Sequence, residues 1–174
     1  QLNLVKEFTK TYQEIPFPES KNERFRYYYE NPFFSYSDGI FLYSFIRHFK
    51  PARIIEIGSG FSSALILDTI QHLDRPQIRI SFIEPYPDRL YSLITEKDKQ
   101  QVTIFENNLQ HIEISFFQQL HENDILFVDS THVAKTGSDV NYLVFEILPS
   151  LKKNVLIHFH DIFYPFYYFK DLFF

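Results

Sequence analysis

The chain has 174 residues, 45% of them hydrophobic, a net charge of −5 from 22 acids and 17 bases, and no cysteine. That length and apolar content suit one core, and the missing cysteines exclude disulfides and thiolate metal sites. No basic block and no apolar run near the ~20 residues needed to span a bilayer is present, which argues against nucleic-acid and membrane partners.

Apolar spacing at Leu2, Leu4, Val5, Phe8 and Tyr12 predicts an N-terminal helix, broken by the prolines at 16 and 18. An aromatic, irregular stretch runs on to Ser37. Asp38 is then placed to cap a helix over residues 39–49, which Pro51 ends. Residues 1–52 therefore read as a helical and aromatic extension packing on a Rossmann-like unit over 53–174. In that unit, short apolar strands are predicted at 53–57, 78–84, 102–106, 124–128 and 154–160. Helices are predicted between them at 62–73, from Pro87 onward, near 114–120 and over 138–151, the last with Ser138 as its cap. Strands apolar enough for burial on both faces, alternating with helices, predict an α/β fold. The architecture is a doubly wound, mainly parallel sheet with helices on both faces. Ligands of such sheets sit beyond the carboxyl ends of the strands.

Gly58 and Gly60 occupy the turn leaving the first strand, where glycine permits positive φ and close approach of a ligand to the backbone. Glu84 ends the second strand, and an acid there suits the two hydroxyls of a ribose. Together they point to a nucleoside-containing ligand. A dinucleotide fits less well. Ser63 stands where the third glycine of the dinucleotide fingerprint belongs, and Glu56, two residues before Gly58, would repel a pyrophosphate.

The run Glu56-Ile57-Gly58-Ser59-Gly60 resembles the first motif of class I S-adenosylmethionine-dependent methyltransferases, and Glu84 resembles their ribose-binding acid. The resemblance covers roughly residues 36–165. It implies S-adenosylmethionine as cofactor, with the acid-glycine turn at its methionine moiety. Adenine would fall among Asn107, Asn108 and Gln110, with Asn108 carried forward as the contact. Methyltransferases of this class complete a seven-stranded sheet, yet only 13 residues follow Asp161. The last strands are therefore expected to be missing from this chain, and its natural C-terminus to lie beyond Phe174.

In this topology the fourth and fifth strands lie beside the first. One delivers Asp129 and His132, the other His158, His160 and Asp161. Two acids and several imidazoles converging at adjacent strand ends make an oxygen- and nitrogen-rich site for a divalent cation such as Mg²⁺. Asp129, Asp161 and His160 are its expected ligands. A hydroxyl acceptor would be held there while His132 takes its proton, with Asp129 beside it. Asp129, His132 and Asp161 resemble the pattern of metal-dependent O-methyltransferases of the catechol and sugar-tailoring types. His160 replaces one of the acid pair in that pattern. The longer run from Asp129 to Phe166 looks like a group of bacterial methyltransferase-like proteins.

Blander roles are assigned to His158, as a core residue, and to Lys135 and Asp139, as loop and helix-start residues. The 21 phenylalanines and 12 tyrosines suit core packing or a homo-oligomer formed through an aromatic surface. The expectation is a cytoplasmic methyltransferase acting on a small-molecule hydroxyl. Two alternatives differ in class: a non-catalytic assembly module of the same fold, and a nicotinamide-dependent oxidoreductase.

Overall fold

A computed structural model of the chain describes residues 2–162. Five parallel strands form one sheet in the order β3-β2-β1-β4-β5: β1 Arg53–Ile57, β2 Arg79–Ile83, β3 Thr103–Phe105, β4 Ile125–Val128 and β5 Leu156–Phe159. This is the Rossmann-like, doubly wound arrangement expected of alternating strands and helices. The chain reverses direction of travel across the sheet after β3, so the crevice between the ends of β1 and β4 is the switch point. The aromatic segment 163–174 and any strands after β5 lie outside the described residues.

Because side chains alternate along a strand, the sheet carries two cores. Ile54, Phe82 and Phe127 face one core, and Ile55, Ile57, Leu126 and Val128 face the other. The first is covered by α2 (Tyr36–Phe49) and α3 (Phe61–His72), and by Phe17, Tyr27 and Phe34 of the N-terminal segment. The second is covered by α6 (Ile114–Phe117) and the helical stretch after β4, through Phe117, Leu143 and Ile147.

Several local expectations need correction. Helix α2 begins earlier than predicted. Ser35 takes the N-cap position, and Asp38, three residues in, accepts a hydrogen bond from the Ser35 backbone N–H at 3.2 Å. The single helix predicted over 138–151 is divided into α7 (Asp139–Tyr142), a π-helical stretch (Leu143–Ile147) and α8 (Leu148–Ser150). Pro149 accounts for this. It has no N–H to offer the Phe145 carbonyl, and its ring crowds that carbonyl, so the ladder widens just before it. The N-terminal helix α1 (Leu2–Thr9) stops short of Tyr12, and a 3₁₀ turn over Tyr12–Glu14 follows; the helix predicted from Pro87 onward is α4 (Asp88–Leu93).

The segment before α2 is fastened by one cation. The Arg26 guanidinium reaches Asp68 on α3 and Asp98 on α5 (Glu96–Lys99), each at 2.5 Å, while the backbone N–H groups of Arg26 and Tyr27 both donate to Asp68 at 2.8 Å. The Asp68 side chain is 1% exposed. Removing one partner of a buried pair strands the other in low dielectric, at about 3–5 kcal/mol. Asp68→Ala is therefore expected to lower unfolding stability by about 3 kcal/mol or more in urea titration, with Tyr27 losing its protection from solvent.

Candidate active site

The first-strand turn is held in place by its neighbours. The Gly58 N–H donates to the Ile83 carbonyl at 3.0 Å, and the Asp129 N–H donates to the Ile57 carbonyl at 2.8 Å. Gly58 has φ +80°, and a Cβ there would sit 1.9 Å from the Asp129 carbonyl oxygen. Glycine is thus demanded twice, by conformation and by contact. At Gly60 a Cβ would meet only the flexible Arg89 side chain, at 3.1 Å.

Glu84 fixes the turn from the side. One of its carboxylate oxygens accepts from the Ser59 N–H at 3.0 Å and the other from the Tyr86 N–H at 2.9 Å. Each oxygen keeps further acceptor capacity toward a cavity of about 480 Å³, lined by Gly58, Glu84, Asn108, Gln110, Asp129 and Lys135 among others. That volume lies in the range of about 300–1,000 Å³ usual for small-molecule sites. On its far side, the loop after β4 is clasped by Asp139, which accepts from the Thr131 N–H and hydroxyl, and Gln110 donates to the Gly137 carbonyl. Asp139 thus serves the loop as well as the start of α7.

Glu56 points away from this cavity's floor into the face covered by α3, because it alternates with the residues facing the other core. It is completely buried. Oε2 accepts from the Ser63 hydroxyl at 2.5 Å, and Ser63 in turn accepts from the Gly60 N–H at 3.0 Å. Oε1 has no partner. Burial pushes the Glu56 carboxyl up to about 8, and the neighbouring Ser62 and Ser63 hydroxyls only partly oppose it. Ser63, visible in the sequence only as a departure from the dinucleotide pattern, is the residue that ties the buried acid to the turn.

The end of β4 meets the end of β5 in a cluster of acids and imidazoles. His132 Nε2 lies 3.3 Å from Asp129 Oδ1 and 3.8 Å from Asp161 Oδ2. His160 Nδ1 lies 3.3 Å from Asp129 and 3.5 Å from Asp161, and its Nε2 lies 3.6 Å from Asp38 of α2. Ligand atoms of Asp129, His132 and Asp161 fall within 4.8 Å of one another. The sequence grouped His160 with the two acids; in the structure His132 completes that grouping, and both His160 nitrogens face carboxylates. Burial alone would lower His160, but Asp129, Asp38 and Asp161 outweigh it and hold the imidazolium up to about 10. Burial likewise opposes ionisation of Asp129, yet His160 and then His132 keep it below the usual carboxylate range. His158 packs against Phe127, with ring centroids 4.8 Å apart. Burial and the neighbouring His160 push it down to about 4, so it is neutral.

His132 and Asp161 both adopt left-handed backbone conformations, with φ of 59° and 56°. His and Asp are among the few non-glycine residues that tolerate this region, and local strain of this kind concentrates at functional sites.

A family model described as a methyltransferase domain matches residues 55–162, from β1 through the acid–imidazole cluster. The chain belongs to the methyltransferase domain family. An uncharacterized protein of Archaeoglobus fulgidus is 36% identical over 112 residues; the match takes in 63% of this chain and 50% of that protein, so the chain spans half the length of this relative. Two solved structures share the fold. One is cmcI-N160 SAH, with a TM-score of 0.53 and 14% identity over 92% of this chain and 79% of the other. The second is the SAH-bound Podospora anserina methyltransferase PaMTH1, with a TM-score of 0.51 and 18% identity over 92% of this chain and 62% of the other. The methyltransferase fold places Gly58, Glu84 and Asn108 around one cavity, while Glu56 lies beneath its turn. Among the described residues no helix is long and apolar enough to cross a membrane.

Two outcomes are expected. Gly58→Ala should lower the melting temperature far more than Gly60→Ala, because only the former drives a Cβ into backbone. Glu56 binds its proton more tightly folded than unfolded, so its contribution to stability is full below about pH 4.5 and is lost as pH rises through about 8. Melting curves at pH 5.5 and 8.5 should show a decline in the wild type that is diminished in Glu56→Gln.

Proposed function

We propose that the protein is an S-adenosylmethionine-dependent methyltransferase that methylates a hydroxyl of a small-molecule or sugar acceptor, assisted by a divalent cation such as Mg²⁺. The observation that carries this reading is the position of Asp129. It borders the cavity lined by Gly58, Glu84 and Asn108, and it also belongs to the cluster with His132 and Asp161. Cofactor and acceptor sites would meet at that one carboxylate.

The cavity suits the cofactor's chemistry. Glu84, pinned by two backbone N–H groups, can accept from both ribose hydroxyls, and Asn108 lies where adenine would rest. Beneath the turn that would hold the aminoacyl end, the buried Glu56 brings no positive charge to pair with a pyrophosphate and leaves Oε1 as an unpaired acceptor. That is also the argument against an oxidoreductase. The two structural neighbours bound to SAH support the same cofactor.

Asp129 and Asp161 supply hard oxygen ligands for Mg²⁺ or a similar ion. When bound, such an ion lowers the pKa of a hydroxyl and fixes it in place. The chain's own residues do the rest. The turn at Gly58 and the loop after β4 hold the donor in line with the acceptor, and His132 Nε2 takes the acceptor proton as the methyl group leaves sulfur. A second role for His132 is favoured by its distances to both acids: Nε2 could be the third ligand instead of the base.

Calorimetric titration with S-adenosylmethionine, with Mg²⁺ and again with a chelator, tests the first half of the proposal. Binding is expected in both; its absence in the full-length protein would overturn the reading and favour a non-catalytic module. Glu84→Ala should weaken binding about tenfold or more, since charged hydrogen bonds contribute ~1.5–3 kcal/mol each. His132→Ala should lower kcat by about 10²-fold. Unchanged Mg²⁺ affinity in that variant identifies His132 as the base, and weakened affinity identifies it as a ligand.

A further inference from the structure

Helix α2 reaches the acid–imidazole cluster from outside the region that matches the methyltransferase domain, which begins at residue 55. Its third residue, Asp38, splits its carboxylate between two tasks. Oδ2 accepts from the Ser35 N–H at 3.2 Å, and Oδ1 faces His160 Nε2 at 3.6 Å. The second separation is that of an ion pair rather than of a tight hydrogen bond. The His160 side chain is 8% exposed, and its ring is packed on Phe34 and Phe127 at centroid distances of 5.0 and 6.3 Å. Phe34 is itself immobilised. Its N–H donates to the Asn31 side chain at 2.7 Å, and its carbonyl accepts from Asn31 at 2.7 Å and from the Tyr27 hydroxyl at 2.9 Å. The segment from Asn31 to Asp38 therefore presents both an aromatic wall and a carboxylate to one imidazole.

We propose that Asp38 is a positioning residue: it holds the His160 ring so that Nδ1 faces Asp129 and Asp161, and thereby sets the orientation of those two carboxylates toward a bound divalent ion. The N-terminal segment is then part of the active site as well as a cover for the core. This rests on the metal-assisted reading above. Its physical basis is general: partners one contact removed from metal ligands orient those ligands, and losing them weakens metal affinity by about 10–100-fold.

The competing role for Asp38 is helix capping alone. Asp38→Asn separates the two, because the amide oxygen can still accept from Ser35 N–H while the charge opposite His160 is gone. Two readouts apply, on the whole chain. The first is the imidazole ¹H–¹⁵N correlation spectrum recorded in chelator, with His48, His72 and His111 as internal references. The second is Mn²⁺ binding followed by electron paramagnetic resonance without S-adenosylmethionine. In Asp38→Asn the melting temperature should stay near that of the wild type, the His160 ring pattern should change, and Mn²⁺ affinity should fall about tenfold. Asp38→Ala should show the same losses together with reduced stability. An unaltered His160 pattern, or wild-type Mn²⁺ affinity in Asp38→Asn, overturns the proposal. If the wild type itself binds no Mn²⁺, the metal-assisted reading falls, and Asp38 is judged on the metal-free ring spectrum alone.

Discussion

The approach of the Gly58 backbone to the Asp129 carbonyl governs everything at the open end of the sheet. β1 and β4 are paired in parallel register up to Ile57 and Val128, and the next residue of each meets the other. This contact sets how deep the cavity can be, because the turn over α3 begins there. It also sets where Asp129 stands relative to Glu84 on the opposite wall. A side chain at position 58 would separate the strands where the molecule needs them closest.

Around that contact the charges are unevenly distributed. Asp38, Asp129 and Asp161 crowd His160, with His132 completing the group, while Glu84 and Asp139 add carboxylates along the cavity. Like charges so grouped repel one another, and the water that reaches these half-buried carboxylates screens them only in part. The imidazolium of His160 relieves part of that repulsion from the protein side. What remains is a field that welcomes positive charge at two places: the cluster, and the cavity wall that carries Glu84 and Asp139.

Legibility in the sequence followed the range of the interactions. Short, largely apolar strands of three to five residues, the glycine turn and the acid closing β2 are local patterns, and each appears in the fold where its period or spacing puts it. Asp129, His132, His160 and Asp161 could be brought together because parallel topology alone aligns the ends of β4 and β5. Contacts across many residues were less readable. Ser63 looked like a missing glycine, although its hydroxyl bridges Glu56 and Gly60. Asp38 looked like a helix cap because its partner His160 is far along the chain, and nothing at position 38 announces it. Arg26, joined to Asp68 and Asp98, lay in a stretch with no periodicity to interpret. The π-helical turn could have been anticipated from Pro149, but a clean amphipathic pattern over 138–151 concealed it.

Asp129 also has a thermodynamic consequence. A group that borders two binding sites makes their occupancies interdependent, and such dependence runs equally in both directions. If a cation drawn to the cluster reorients this carboxylate in a way that favours the neighbouring ligand, that ligand must favour the cation by the same factor. A single shared side chain thus couples the two halves of the site without any movement of domains.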